Sequence, residues 1–241
     1  MRIHVIYRSI VLGRVRVAVL LVTGTDAGVG KTVVTAAVAA AVGASGASVA
    51  VLKPAQTGAR PGRESDVDTV RRLAAPAHAR SLAEFSERLP PLAAARAAGQ
   101  HPVALDDVLL AVAELDSAHD LVVVEGTGGL LVPIGDGWTT ADLAQQLGGL
   151  AMVVAPATIG AINHTALTLE ALSHRGVPAY VVIGAWPAAP EAVHRLVLAE
   201  LPGTRVGVVP DGAVAWPPER FRAAAPSWFA AGFAAAVTVE P

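Results

Sequence analysis

The 18 basic residues of this 241-residue chain are sixteen arginines and two lysines, Lys31 and Lys53. Arginine is the default solvated cation here, so a retained lysine marks a position that needs a compact, flexible ammonium in place of a planar fork. Lys31 lies near the end of GTDAGVGKT (24–32). A glycine-rich turn ending in Gly-Lys-Thr turns its backbone N–H groups onto a phosphate, sends the lysine to the outer phosphates and offers the threonine hydroxyl to Mg2+. Gly28, Val29, Gly30, Lys31 and Thr32 are the residues that match the end of such a loop. The strict P-loop spacing places a glycine where Thr25 stands, and the glycine is Gly24 instead, so the loop is a variant.

Such a loop needs an acid near the metal at the end of another strand. DLVVVEGTGG (120–129) supplies Glu125 after four apolar residues. Gly126, Thr127, Gly128, Gly129 and Leu130 follow it, and successive free N–H groups there would form an anion nest. ESDVDTVRRL (64–73) adds Asp66 and Asp68 at a helix start, where a metal ligand and a helix cap are equally open readings. Lys53 stands in VAVLKPAQTG (49–58).

Other chemistries find little support. With no cysteine, the chain has no disulfide, thiolate metal site or thiol nucleophile. No Ser-His-Asp set is convincing; His164 reads as a local structural residue and Asn163, at a helix start, as a cap. A net charge of −2, with Arg71 and Arg72 as the adjacent basic pair, leaves no nucleic-acid footprint.

The elements that must position these residues alternate along the chain. Buried-type strands are predicted near 17–23, 48–53, 120–125, 150–156, 178–184 and 205–209, and helices near 31–43, 66–75, 105–117, 139–147, 163–175 and 190–201. Apolar strands separated by helices predict an α/β fold, a single-domain P-loop NTPase with a mostly parallel sheet and helices on both faces. Ligands of such sheets bind at the carboxyl ends of the strands. Residues 1–16 are expected to be an extension without the marks of a signal peptide, and 17–241 one domain. The apolar runs are too short to span a bilayer, so the expected location is the cytoplasm. AWPPERFRAAAPSW (215–228) reads as a surface loop with a short terminal helix.

Taken together, VTGTDAGVGKTVVTAAV, VAVLKPAQTG, SDVDTVRRLA, LVVVEGTGGLLVPI and IGAINHTALTLEAL, in this order and spacing, resemble the dethiobiotin synthetase family over roughly residues 17 to 212. The resemblance implies an ATP-dependent ligase of biotin biosynthesis. It would close a ureido ring on 7,8-diaminopelargonic acid with CO2, through a carbamate and a carbamic-phosphoric anhydride. Lys53 would be the catalytic lysine, with Lys31 beside it; Thr32, Asp66 and Glu125 would bind Mg2+, and Gly28 to Val33 would wrap the nucleotide phosphates. Thr57, Gly129, Leu130 and Asn163 would contact the substrate, the last across a homodimer interface.

One departure concerns the base. Many family members carry an asparagine after the fifth strand to read adenine, and this chain has Ala185 and Trp186 there. The nucleotide is then expected to be held by its phosphates and by backbone at Gly184, Ala185, Pro210, Asp211 and Gly212, with relaxed base selectivity, so that NTPs other than ATP would serve. The alternative is a nucleotide-switched ATPase of the ParA and MinD group, acting through a protein partner. That group places a lysine at the position of Asp26. Regulatory GTPases would bring base-reading motifs absent here, and cobyrinic-acid amidating ligases a further glutaminase domain.

Overall fold

A computed structural model describes residues 19–238. The expectation for residues 1–16 lies outside the described residues. The strands are β1 (Val19–Gly24), β2 (Val49–Thr57), β3 (His78–Phe85), β4 (Leu121–Glu125), β5 (Pro133–Gly135), β6 (Trp138–Thr139), β7 (Leu150–Ala155), β8 (Ala179–Trp186) and β9 (Thr204–Pro210). The helices are α1 (Lys31–Gly43), α2 (Asp66–Ala74), α3 (Pro91–Ala97), α4 (Leu105–Asp116), α5 (Thr140–Leu147), α6 (Ala161–Ser173), α7 (Ala192–Glu200), α8 (Pro218–Ala224) and α9 (Phe233–Val237).

Seven strands form one sheet in the order β3-β2-β4-β1-β7-β8-β9, and β5 and β6 make a separate ribbon. All pairings in the large sheet are parallel. Because successive side chains leave a strand on opposite faces, an apolar run feeds two cores at once. Val19 and Leu21 of β1, and Val122 and Val124 of β4, enter the core under α4 and α5. Leu20, Val22, Leu121 and Val123 enter the other, shared with α1, α2 and α8. Helix α1, KTVVTAAVAAAVG, is apolar nearly all round and buried from Val34 to Val42, as expected of a helix packed on several sides. The predicted fold class is therefore the observed one.

Four features depart from the sequence reading. β3 was not predicted: HARSLAEF is an edge strand, mostly half-buried, and lacks the apolar run of its neighbours. Helix α3 is seven residues of PLAAARA, too short to show a period, yet its Ala94 and Ala95 are fully buried. β2 runs through Pro54 to Thr57, because its pairing with β4 ends at Leu52 while pairing with β3 continues to Phe85. Lys53 thus sits inside a strand. Finally, 215–228 is more than a surface loop: Pro217 and Pro218 start α8, where a missing N–H costs nothing, and Phe221 is fully buried with its ring 5.0 Å from that of Trp228.

β1 lies between β4 and β7, where the chain's progress across the sheet reverses direction. The carboxyl ends of β1, β2 and β4 therefore open on the crevice where ligands of doubly wound sheets bind.

Candidate active site

The loop after β1 turns into α1 at Gly30, which has φ 97°. Gly24 does the work expected of the glycine one position later: a Cβ on it would come within 2.7 Å of Val29 Cγ2 and 3.2 Å of Lys31 Cδ. The variant spacing thus keeps the close packing of the loop on itself. On its outer side the loop leans on β8, since a Cβ on Gly184 would lie 2.1 Å from the Val29 carbonyl oxygen. Lys31 Nζ donates to the Asp26 carbonyl at 2.8 Å, inside the loop. Burial drives its pKa down to about 8, against the attraction of Glu125.

Lys53 is the other centre. Its Nζ lies 2.7 Å from Glu125 Oε1 and 2.8 Å from Asp66 Oδ2, and the same Glu125 oxygen accepts from Thr32 Oγ1 at 2.8 Å. Lys53 and Glu125 are each 2% exposed and Asp66 is 40% exposed. Burial disfavours the ammonium, but the two carboxylates and their hydrogen bonds prevail and hold its pKa above the usual lysine value. Four residues from four segments, Thr32, Lys53, Asp66 and Glu125, converge here. Both lysines of the chain line one cavity of about 370 Å3, together with Gly28, Thr57, Thr127 and Gly128.

The open question about the acids of α2 is resolved by its cap. Ser65 is the N-cap and Asp68 closes a capping box with it. The Ser65 hydroxyl and Arg71 keep the Asp68 carboxyl below its ordinary pKa. Asp68 therefore holds the helix, and Asp66, the first helical residue, turns to Lys53. Gln56, which the sequence reading did not single out, positions Asp66: its Oε1 accepts from the Asp66 N–H at 3.1 Å and its Nε2 donates to the Thr57 carbonyl at 3.0 Å. Its position between Lys53 and Thr57 in KPAQTG was the available signal. Arg63 and Arg88, on the same cavity wall, were also passed over.

The remaining expected site residues divide by position. Val33 packs against the core on the α1 side. Gly126 is buried against Thr140, and Thr127 Oγ1 donates to the Ala55 carbonyl at 2.7 Å, tying the β4 turn to β2. Gly129 and Leu130 line a second cavity of about 550 Å3, with Leu131, His164 and Leu167. Asn163 is no cap: Gly160 occupies the N-cap position, and Asn163 is the exposed third residue of α6. His164 is exposed too, and supports the helix only through its backbone. Ala185 is exposed at the end of β8, and the Asp211 N–H bonds to the Trp186 carbonyl at 2.8 Å, so Pro210, Asp211 and Gly212 stand beside it. Apart from Thr127, none of these lines the cavity of the lysines.

The donors around Lys53 suit Mg2+, a hard ion that keeps several waters and takes one or two carboxylates plus substrate phosphates. A threonine hydroxyl and two carboxylates meet that description. Among the described residues no cluster of three or more His, Cys, Asp or Glu is placed to hold a metal by itself.

Loop, sheet and paired lysines define a P-loop nucleotide-binding α/β protein, and a family model described as "AAA domain" matches residues 18–217. The MinD cell division protein of Aquifex aeolicus shares this fold at a TM-score of 0.52, 14% identity and coverage of 87% of this chain and 95% of that one. More similar in sequence is a protein of Streptomyces avermitilis named "ATP-dependent dethiobiotin synthetase BioD", 49% identical over 88% of this chain and 92% of its own length. Proteins of the same name from Rhodococcus jostii and Mycobacterium avium are 48% and 46% identical, over 88% and 85% of this chain and 94% and 92% of theirs. The chain belongs to the dethiobiotin synthetase family.

Proposed function

We propose that this protein converts 7,8-diaminopelargonic acid, CO2 and ATP into dethiobiotin, ADP and phosphate. The observation that carries the reading is the buried Lys53 ammonium, set between Glu125 and Asp66 in the cavity that also holds Lys31. One amine of the substrate adds to CO2 and loses a proton, giving a carbamate. A carbamate oxygen attacks the γ-phosphorus as the bond to ADP breaks. The second amine then attacks the carbonyl carbon and expels phosphate, closing the five-membered ring.

Each residue has work suited to these steps. Bringing carbamate to triphosphate sets anion against anion, so the site must neutralise charge and align the partners. Lys31 and the N–H groups of residues 28–33 take the phosphates at the start of α1, where the helix dipole favours negative charge. Lys53 faces the cavity from β2 and neutralises charge where the two anions meet. Thr32, Asp66 and Glu125 would hold Mg2+, which when bound draws charge from the phosphate oxygens. Thr57, one strand step beyond Gln56, contacts the substrate. No enzyme nucleophile is required, because both nucleophiles are amines of the substrate.

Gly129, Leu130 and Asn163 would serve the substrate's carboxylate end across a homodimer interface. Exposed Leu131 and Leu167, which line the second cavity, favour such an interface, at 57% and 56% exposure. Among the described residues no helix is long and apolar enough to cross a membrane; we place the enzyme in the cytoplasm. Base readout would fall to backbone at Gly184, Ala185 and Pro210 to Gly212, since exposed Ala185 brings no polar side chain. CTP, GTP and UTP should then compete for the ATP site, and strict exclusion of all three in a competition assay would refute relaxed selectivity.

The deciding experiment is phosphate release from Mg·ATP with bicarbonate, with and without the diamine, and the product's mass checked for the added carbonyl. Diamine-dependent release with that product is expected. Steady hydrolysis indifferent to the diamine would instead favour a partner-switched ATPase, a reading that the Asp26 position and the 14% identity to MinD do not support.

A further inference from the structure

The charges lining the cavity do not balance. Lys31 and Lys53 are matched in number by Asp66 and Glu125, both of which pair with Lys53, and Glu64 is engaged by Arg72 outside the cavity, with Nε 2.6 Å from Oε1. Two cationic groups on the walls are left, Arg63 and Arg88. Among the described residues neither makes an ion pair or a side-chain hydrogen bond. The Mg·ATP complex carries net negative charge, and the carbamate adds one more. With Lys31 given to the phosphates and Lys53 paired with two carboxylates, the arginines are the wall cations left to take up the added charge.

Arg88 is placed for it by the backbone. Beyond the β2–β3 pairing the two chains remain joined, the Gly58 N–H bonding to the Glu87 carbonyl and the Ala59 N–H to the Phe85 carbonyl, both at 3.0 Å. That holds residue 88 directly over Gly58. A Cβ on Gly58 would lie 2.8 Å from Arg88 Cγ, 3.5 Å from Cδ and 3.7 Å from Nε, so the arginine stem crosses bare Cα on its way along the cavity wall. Gly58 has φ +72°, a second reason for glycine there. Thr57, the substrate contact proposed above, is the preceding residue. Arg88, three residues beyond the edge strand, therefore lies on the cavity wall beside the proposed substrate contact, remote in sequence from the P-loop that takes the phosphates.

We propose that Arg88 binds the carbamate group of the carbamylated diamine, receiving it in the fork of its guanidinium and holding it for attack on the γ-phosphate. A planar fork matches a planar carboxylate with two parallel N–H···O bonds. The assignment rests on the carbamate reading of the site and adds a residue to it.

The test uses the full chain and its Arg88→Ala, Arg88→Lys and Gly58→Ala variants. Steady-state kinetics are run against diamine and bicarbonate, Mg·ATP affinity is measured by equilibrium titration, and carbamate is read by 13C NMR with 13C-bicarbonate and diamine in the absence of nucleotide. In Arg88→Ala the apparent KM for diamine and bicarbonate should rise about tenfold or more, as for loss of a charge-assisted hydrogen bond. Its enzyme-bound carbamate signal should vanish while Mg·ATP affinity stays that of the wild type, which also shows an intact fold. Arg88→Lys should recover part of the loss, and Gly58→Ala, which displaces the stem, should copy Arg88→Ala. Unchanged constants, or a loss confined to Mg·ATP affinity, would overturn the assignment. So would weaker diamine binding with the carbamate signal intact, which would put the guanidinium on the substrate's own carboxylate. A wild-type protein that forms no carbamate and releases no phosphate with the diamine would overturn the reaction itself, and the Arg88 role with it.

Discussion

At the scale of single residues, the site turns on where a lysine stands and what surrounds it. Lys53 must serve two carboxylates 2.7 and 2.8 Å away from a position that is 2% exposed. A guanidinium cannot occupy the same point, and removing the charge outright would strand a buried Glu125, a change that typically costs about 3–5 kcal/mol. Lys53→Arg keeps the charge. It should lower kcat by about 10²–10³-fold, the scale of losing one preorganised transition-state donor, with a near-native melting curve; a fully active variant would show the lysine misread. Lys31 gives a pH signature. In the free protein its ammonium is lost as pH rises through about 8, whereas bound phosphates favour the charged form. Binding above that pH must then take up a proton, so Mg·ATP affinity should fall by about tenfold per pH unit there and be flat below it. Isothermal titration at several pH values in buffers of different ionisation heat measures both the slope and the proton; a flat profile up to pH 9.5 would contradict the assignment.

Among elements, the decisive contact is between the P-loop and the end of β8. Gly184 is buried with the Val29 carbonyl where its Cβ would be, at 2.1 Å, and backbone cannot give way as a side chain can. Gly184→Ala should therefore push the loop off its seat, destabilising the fold by about 1–3 kcal/mol as overpacking does and weakening nucleotide binding more than the melting curve alone would suggest. Nucleotide titration beside thermal denaturation separates the two effects. Wild-type affinity in the variant would mean that the loop does not depend on β8. Helix α2 shows the same logic with polar groups: Ser65 and Asp68 cap it and Gln56 holds its first N–H, so Asp66 is aimed by three neighbours.

For the whole molecule, two of the exposed apolar side chains, Leu131 and Leu167, line the second cavity together. Large apolar side chains left exposed around one cavity favour an interaction surface there. Sedimentation velocity should find a dimer, and Leu167→Asp should shift it to monomer and raise the KM for the diamine while leaving the melting of the protomer nearly unchanged. A wild-type monomer at micromolar concentration would remove the interface from the mechanism.

Much of this was legible from the chain alone, because it depends on local order. Alternating apolar strands and helix-length segments specify a parallel sheet with covered faces, and Gly-Lys-Thr after a strand, a lysine after another and a glutamate ending a third specify a phosphate site. The same reading could not see β3 or α3, whose half-buried or very short segments carry no period, nor place Pro54 within a strand. The residue pattern by itself left Asp66 and Asp68 open, two residues apart on one helix turn, and the family resemblance alone singled out Asp66. That choice belongs to tertiary structure, since it depends on which carboxylate the Ser65 cap claims and which one Lys53, brought in by β2, can reach. Gln56 and Arg88 are of the same kind: their roles exist only where β2 is paired with β3 and the start of α2 packs over its end, contacts between segments that no spacing within either one records.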